Sequence, residues 1–245
     1  MKSNNIPKII HYCWFGGNSL PELAQKCIAS WKKYCPDYEI IRWDETNFDI
    51  NCCAYVREAY DAKKWAFVSD VARLYALVHH GGIYMDTDVE VIRPIDDFCQ
   101  YEAFSGFERS DAIPTGLMAA KANHPLFEEL LWEYDGKHFI NDDGTYNLTT
   151  NVKYITDTCL KYGLKLNNSL QTVNGFTLFP SDYFCPVNSK SGKIELTNNT
   201  YTIHHLAGSW VDPYTKFRGK VYQMLCRWFG EKTADAVKKV VGRKK

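Results

Sequence analysis

Residues 69–90, SDVARLYALVHHGGIYMDTDVE, decide the fold. From about Val68 to His80, the apolar residues Val71, Leu74, Tyr75 and Val78 recur three or four positions apart, which predicts a helix with one buried stripe. Gly81-Gly82 ends it as a C-cap, and Ile83 to Val91 reads as the following strand. Side chains alternate across a strand, so Tyr84, Asp86 and Asp88 are expected on one face, where paired carboxylates can offer oxygen ligands to a hard divalent cation. Asp70 and Arg73, three apart, share a face of the preceding helix. They set a carboxylate able to accept hydroxyls beside a guanidinium suited to phosphate.

Working outward, Lys8 to Trp14 reads as a first buried strand that ends in a Gly16-Gly17 turn. A helix follows over about Pro21 to Tyr34, a second strand over Tyr38 to Trp43, and a helix over about Ala54 to Lys63. This β-α-β-α-α-β succession predicts an α/β fold with a mostly parallel central sheet flanked by helices, and with ligands at the carboxyl ends of strands. Strands are expected at Ala103 to Glu108 and Thr115 to Ala120. An amphipathic helix from His124 to Tyr134 has Pro125 in its first turn. Polar loop covers Asn141 to Thr150, a helix Val152 to Tyr162, and short strands Phe176 to Phe179 and Tyr201 to His205.

Three blocks, IPKIIHYCWFGG (6–17), SDVARLYALVHHGGIYMDTDVE (69–90) and YTIHHLAGSW (201–210), carry a resemblance. Together they resemble the Asp-x-Asp glycosyltransferases that use sugar nucleotides. The pattern is nearest to the capsular and lipopolysaccharide type grouped with yeast mannosyltransferases as glycosyltransferase family 32, and more distantly is similar to the glucosyltransferase domain of clostridial toxins. A lone Asp-x-Asp arises often by chance; the S-D-x-x-R, G-G-x-Y and G-S-W around it make the match specific.

The resemblance implies a GT-A type nucleotide-diphospho-sugar transferase fold, with residues 1–97 as the nucleotide-sugar half and 98–215 as the acceptor-binding half of one domain. It implies a retaining transfer of a hexose or N-acetylhexosamine from a UDP-sugar to a lipid-linked saccharide acceptor. The expected cofactor is Mn²⁺, or Mg²⁺. Asp88 would ligate the metal, with Asp86 reaching it through water while holding sugar or ribose hydroxyls. One histidine of the HHLAGSW stretch would join them, with His205 favoured and His204 the fallback. Trp14 would stack on the base, with Phe15, Gly16 and Tyr84 beside it. Arg73 and Asp70 would meet diphosphate and sugar, and Ser209 and Trp210 the β-phosphate. The family's front-face attack leaves no nucleophile to name. Acceptor contacts are expected from Ile113 to Ala120 and from Asn141 to Thr150.

Bulk properties agree with one large soluble domain. The chain has 245 residues, 45% hydrophobic and 24% charged, with formal net charge zero. That charge is uneven: residues 216–245 hold ten Lys/Arg and two acids, so an acidic body precedes a basic tail. Phe217, Val221, Leu225, Trp228 and Phe229 interleave there with Lys216, Arg218, Lys220 and Arg227. That pattern fits an amphipathic helix for an anionic membrane surface, or one packed on the domain. No feature points to nucleic acid. The opening MKSNNIPKIIHY lacks a signal-peptide pattern, so the expected location is the cytoplasm, with peripheral attachment to the inner membrane. None of the nine cysteines forms a C-x-x-C, and most read as small buried hydrophobes. His11 reads as a satisfied core histidine.

Rival readings attach to the same residues. DTDV at 86–89 matches the nucleophile loop of haloacid-dehalogenase-like phosphohydrolases, but that loop normally follows the first strand. A glycoside hydrolase needs its two acids on opposite sides of the bond, which two acids on one strand face do not provide. A metal-dependent carbohydrate-binding module is the non-enzyme alternative.

Overall fold

The structure, a computed structural model, describes residues 5–108, 112–188, 190–208 and 211–242. The N-terminal part follows the expected succession: β1 (Ile9–Cys13), α1 (Glu22–Tyr34), β2 (Glu39–Trp43), α2 (Ala54–Asp61), α3 (Trp65–His80) and β3 (Gly82–Met85). Then come β4 (Val89–Val91), β5 (Ala103–Gly106), β6 (Leu117–Ala120), α4 (Pro125–Trp132), α5 (Asn151–Lys161), β7 (Gln171–Val173), β8 (Phe176–Phe179), α6 (Ser181–Phe184) and β9 (Thr202–His204). Two helices, α7 (Pro213–Phe229) and α8 (Glu231–Gly242), close the chain.

The main sheet has the order β2-β1-β3-β6-β5-β8-β7. Pairs β1/β2, β1/β3 and β5/β8 are parallel, and the others antiparallel. Five of its seven strands therefore run one way, with β6 and β7 reversed, so the expected mostly parallel sheet holds. Strand alternation splits the core into two layers. Tyr84 and Met118 face the layer built with α2–α5, whereas Ile83, Met85, Leu117 and Ala119 face the layer built with α1. Helix α1 buries Ala24, Cys27, Ile28 and Trp31, one stripe at helical spacing, and Trp31 donates its indole N–H to the Val89 carbonyl at 2.7 Å. Seven of the nine cysteines are buried and all are free, as small hydrophobes would be.

One expected element is corrected. The strand drawn from Ile83 to Val91 breaks at the acids: β3 stops at Met85, and the Val89 N–H donates to the Asp86 carbonyl at 3.0 Å, closing a turn over residues 86–89. Beyond that turn β4 leaves the main sheet and pairs antiparallel with β9. Periodicity missed the break because Val89 and Val91 continue the apolar alternation in the second sheet. The short β7 and α6 also escaped it, since three or four residues carry too little pattern.

His11 ties β1 to the end of α3. Trp43 donates its indole N–H to Nδ1 at 3.1 Å, so Nε2 carries the proton and donates to the Gly81 carbonyl at 2.7 Å. At Gly82, φ is +104° and a Cβ would sit 2.7 Å from the Ile9 carbonyl, so only glycine lets β3 begin this close to β1. Burial pushes the His11 imidazole down to about 4, against the pull of the Gly81 bond. An unfolded histidine takes up its proton near pH 6.5, whereas the folded one stays neutral until about 4. Stability from this residue is therefore complete above pH 6.5 and falls as pH drops toward 4, by about 3 kcal/mol in all. Urea unfolding of His11→Gln across this range should show that slope lost; an unchanged slope would assign it to other groups.

Candidate active site

The turn at 86–89 sits at the carboxyl end of β3, beside the carboxyl end of the parallel neighbour β1. Asp86, Asp88 and His204 each bring one ligand atom there, all within 4.8 Å of one another. Sheet register explains the histidine. In the β4/β9 pair Val89 lies opposite His204, and the His205 N–H donates to the Asp88 carbonyl at 2.9 Å, so β9 runs directly beside the second acid. His204 Nε2 is 3.3 Å from Asp88 Oδ1. His205, the favoured metal ligand, points the other way and meets Glu90 at 2.9 Å. The fallback His204 takes its place, because successive strand residues face opposite sides and only the structure fixes which side is inward.

Each carboxylate is oriented by the protein. Tyr84 donates its hydroxyl to Asp86 Oδ1 at 2.7 Å, and Arg73 lies 3.5 Å from the same oxygen. The Ala207 N–H donates to Asp88 Oδ2 at 2.7 Å, which ties the loop after β9 to the acid. Burial alone would raise the Asp88 carboxyl, but the His204 and Ala207 contacts hold it down to about 2. Correspondingly, contact with Asp88 and Cys185 outweighs burial and raises His204 well above its ordinary value. The pair is thus an ion pair, with a proton on the His204 imidazole that metal binding would compete with. Two carboxylate oxygens and an imidazole suit Mn²⁺ or Mg²⁺, the nitrogen favouring the former, and binding would release that proton.

Arg73 has a different place from the one expected. It is 5% exposed, and its donors are engaged inside the protein: Nε to the Ser69 carbonyl at 3.1 Å, one amino group to the Thr115 carbonyl at 2.9 Å, the other near Asp70 at 3.2 Å. Its guanidinium lies 4.7 Å from the centre of the Tyr84 ring. Burial disfavours its charge, yet Asp86, Tyr84 and Asp70 more than offset this and keep it protonated. Asp70 is the other end of the network. Burial pushes its carboxyl up to about 6 despite Arg73, and Asp86 adds to the rise. Asp70, Arg73 and Asp86 thus form one charged cluster, with the first two buried and Asp86 the most exposed.

Other expected contacts are also redistributed. Phe15 packs into the core against Phe48, with ring centres 5.8 Å apart, so its side chain turns away from the pocket. Tyr84 is 1% exposed, with its hydroxyl turned to Asp86. The Gly16 N–H donates to Glu45 Oε1 at 2.6 Å. Trp14 remains half-buried at the end of β1 and donates its indole N–H to the Asn18 carbonyl at 2.6 Å. Ser209 and Trp210 lie outside the described residues. Within the expected acceptor segments, Ile113 and Thr115 are buried, whereas residues 141–145 are exposed.

Sequence reading missed Gly116. Its carbonyl accepts the Asp86 N–H at 2.7 Å, and a Cβ there would lie 2.4 Å from His204 Cε1. The only available signal was a glycine at the entry to a strand, which often marks close approach of another group. Gly116→Ala should swing the imidazole away from Asp88 and weaken Mn²⁺ binding about 10- to 100-fold while the fold persists. Calorimetric Mn²⁺ titration beside circular dichroism checks this; wild-type affinity would show that His204 is not a ligand.

Comparison with known proteins adds three findings. Residues 21–105 match the family described as "Glycosyltransferase sugar-binding region containing DXD motif". Inositol phosphoceramide mannosyltransferase 3 of Schizosaccharomyces pombe is 31% identical over 134 residues, which is 53% of this chain and 37% of that protein. The chain thus spans little more than a third of that relative's length. An uncharacterized glycosyltransferase of Acanthamoeba polyphaga mimivirus is 28% identical over 244 residues, 92% of this chain and 88% of its own. Among solved structures, the PaToxG glycosyltransferase superposes with TM-score 0.50 at 19% identity, covering 64% of this chain and 70% of its own. At that identity the likeness concerns the fold, and it agrees with the GT-A class expected from the sequence.

Proposed function

We propose that this chain, whose residues 21–105 carry the glycosyltransferase sugar-binding region containing a DXD motif, is a metal-dependent retaining glycosyltransferase. It moves a hexose or N-acetylhexosamine from a nucleoside diphosphate sugar, in the first instance a UDP-sugar, to a saccharide acceptor. The observation that carries the reading is the meeting of Asp86, Asp88 and His204 within 4.8 Å at the carboxyl end of β3.

Cleaving the anomeric C–O bond builds charge on the departing diphosphate, and a bound Mn²⁺ or Mg²⁺ supplies Lewis-acid stabilisation of that charge. Asp88 and His204 hold the ion. Asp86, with 29% of its side chain exposed and Oδ1 fixed by Tyr84, turns toward sugar or ribose hydroxyls. Trp14 stacks on the base. Both acids hang from one turn and cannot flank a glycosidic bond, which disfavours a two-carboxylate hydrolase. Retention then follows from front-face attack, with the acceptor proton passing to the leaving diphosphate oxygen. A phosphohydrolase loop would follow the first strand, whereas DTDV follows the third in chain order.

The acceptor in this reading is lipid-linked and the setting is capsule or lipopolysaccharide assembly at the cytoplasmic leaflet. The mannosyltransferase relative, by its name, acts on inositol phosphoceramide, a lipid. Residues 1–215 form the catalytic domain and 216–245 its attachment. Calorimetry with UDP-glucose, UDP-galactose, their N-acetyl forms and GDP-mannose, each with and without Mn²⁺, tests the assignment. One donor should bind only with metal. Equal binding without metal would overturn the metal role of Asp88, and affinity for free sugar with none for a nucleotide sugar would replace the transferase with a binding module.

A further inference from the structure

Helix α7 carries its apolar stripe on the side away from the protein. Its start is set locally, by Pro213 in the first turn and by Asp212, whose side chain accepts the Thr215 N–H at 3.0 Å. Tyr214, Phe217, Met224 and Trp228 fall at i, i+3, i+10 and i+14, which places them within an arc of about 80° on a helix. All four are exposed, at 62%, 65%, 51% and 77%, and Val221, in the same arc, is half-buried. The opposite side makes the attachments. Cys226 is buried, Arg227 donates to the Ser191 and Gly192 carbonyls at 2.6 and 3.1 Å, and Tyr222 donates to Asp235 of α8 at 2.6 Å. An amphipathic helix that merely packed on the domain would have its stripe turned inward.

We infer that this face docks on an anionic phospholipid surface. Tyr and Trp join an apolar ring to a polar tip, the combination that settles at a lipid–water boundary. Exposed Arg218 and Lys220 border the stripe. Residues 216–245 contain ten Lys/Arg against two acids, a balance that attracts anionic headgroups and repels a second copy of the same face. No helix among the described residues is long and apolar enough to cross a membrane, so the contact is superficial. The placement also bears on the pocket: α7 begins six residues after Ala207, whose N–H holds Asp88. The docking itself rests on α7 alone and not on the transferase reading.

The test is sedimentation of the full chain with phosphatidylcholine vesicles, with and without phosphatidylglycerol, alongside the Phe217→Ser/Trp228→Ser and Arg218→Glu/Lys220→Glu double variants. Binding should require phosphatidylglycerol, fall at least about tenfold in both variants, and weaken in salt. Circular dichroism should stay unchanged, since these side chains are exposed. Absence of binding, or equal binding by wild type and both variants, would overturn the inference. So would a dimer in light scattering that the Phe217→Ser/Trp228→Ser change dissolves, because the occupant would then be a second copy.

Discussion

Asp88→Asn should lower the rate of sugar transfer by about 10³-fold and remove the dependence on Mn²⁺. The substitution isolates charge from shape. An asparagine carbonyl can still accept the Ala207 N–H that now goes to Asp88 Oδ2, so the loop after β9 keeps its anchor. What disappears is one of the two acids beside His204, and with it the anionic character that draws in a dication. Initial rates with donor and acceptor over a Mn²⁺ series, together with calorimetric Mn²⁺ affinity, give the readout. A variant that keeps wild-type rate and metal dependence would end the assignment of the site. Asp86→Asn provides a graded comparison: its affinity for metal should fall less than that of Asp88→Asn, because Asp86 is proposed to act chiefly on hydroxyls.

Arg73→Met should destabilise the fold by about 3–5 kcal/mol, the usual cost of leaving buried charge without its partner. Methionine fills much of the space but supplies none of the donors to the Ser69 and Thr115 carbonyls, and it strands Asp70 and Asp86 near each other. Urea unfolding at neutral pH measures the loss. Adding Asp70→Asn to Arg73→Met should recover part of it, since one of the two unpaired acids becomes neutral. Were Arg73 instead a surface residue reserved for phosphate, Arg73→Met would leave the unfolding midpoint near wild type and cost only donor affinity. The two outcomes separate a supporting role from a binding one.

Much of the fold could be read from local pattern because its elements are long and strongly periodic. The apolar run of α3, which the structure buries nearly all round rather than along one stripe, the Gly81-Gly82 stop and the apolar β1 each carry their own signal, and their succession implies right-handed crossovers in a largely parallel sheet. Local pattern failed where a residue's partner is distant in sequence. Ile83 to Val91 reads as one strand because Val89 and Val91 stay buried in the same α1 layer as Ile83 and Met85, although they pair in a different sheet. The helix face of Arg73 suits phosphate, but its contacts with the Thr115 carbonyl and Asp86 come from other elements and are invisible in the helix alone. The tail's pattern fits two options, and only the structure shows that Phe217, Trp228 and Phe229 of its stripe are exposed while Val221 and Leu225 are half-buried.

The sequence by itself determined the order of the longer helices and strands and that acids 86 and 88 would lie close together, since both follow from the period of side chains along one segment; the break that puts them at the end of β3 did not. Which histidine joins them, why position 116 must be glycine, and which way α7 faces were decided only by tertiary structure. Each depends on the register or packing of segments remote in the chain. A shift of one residue in the β4/β9 pairing would exchange His204 for His205, and nothing in either segment alone fixes that register.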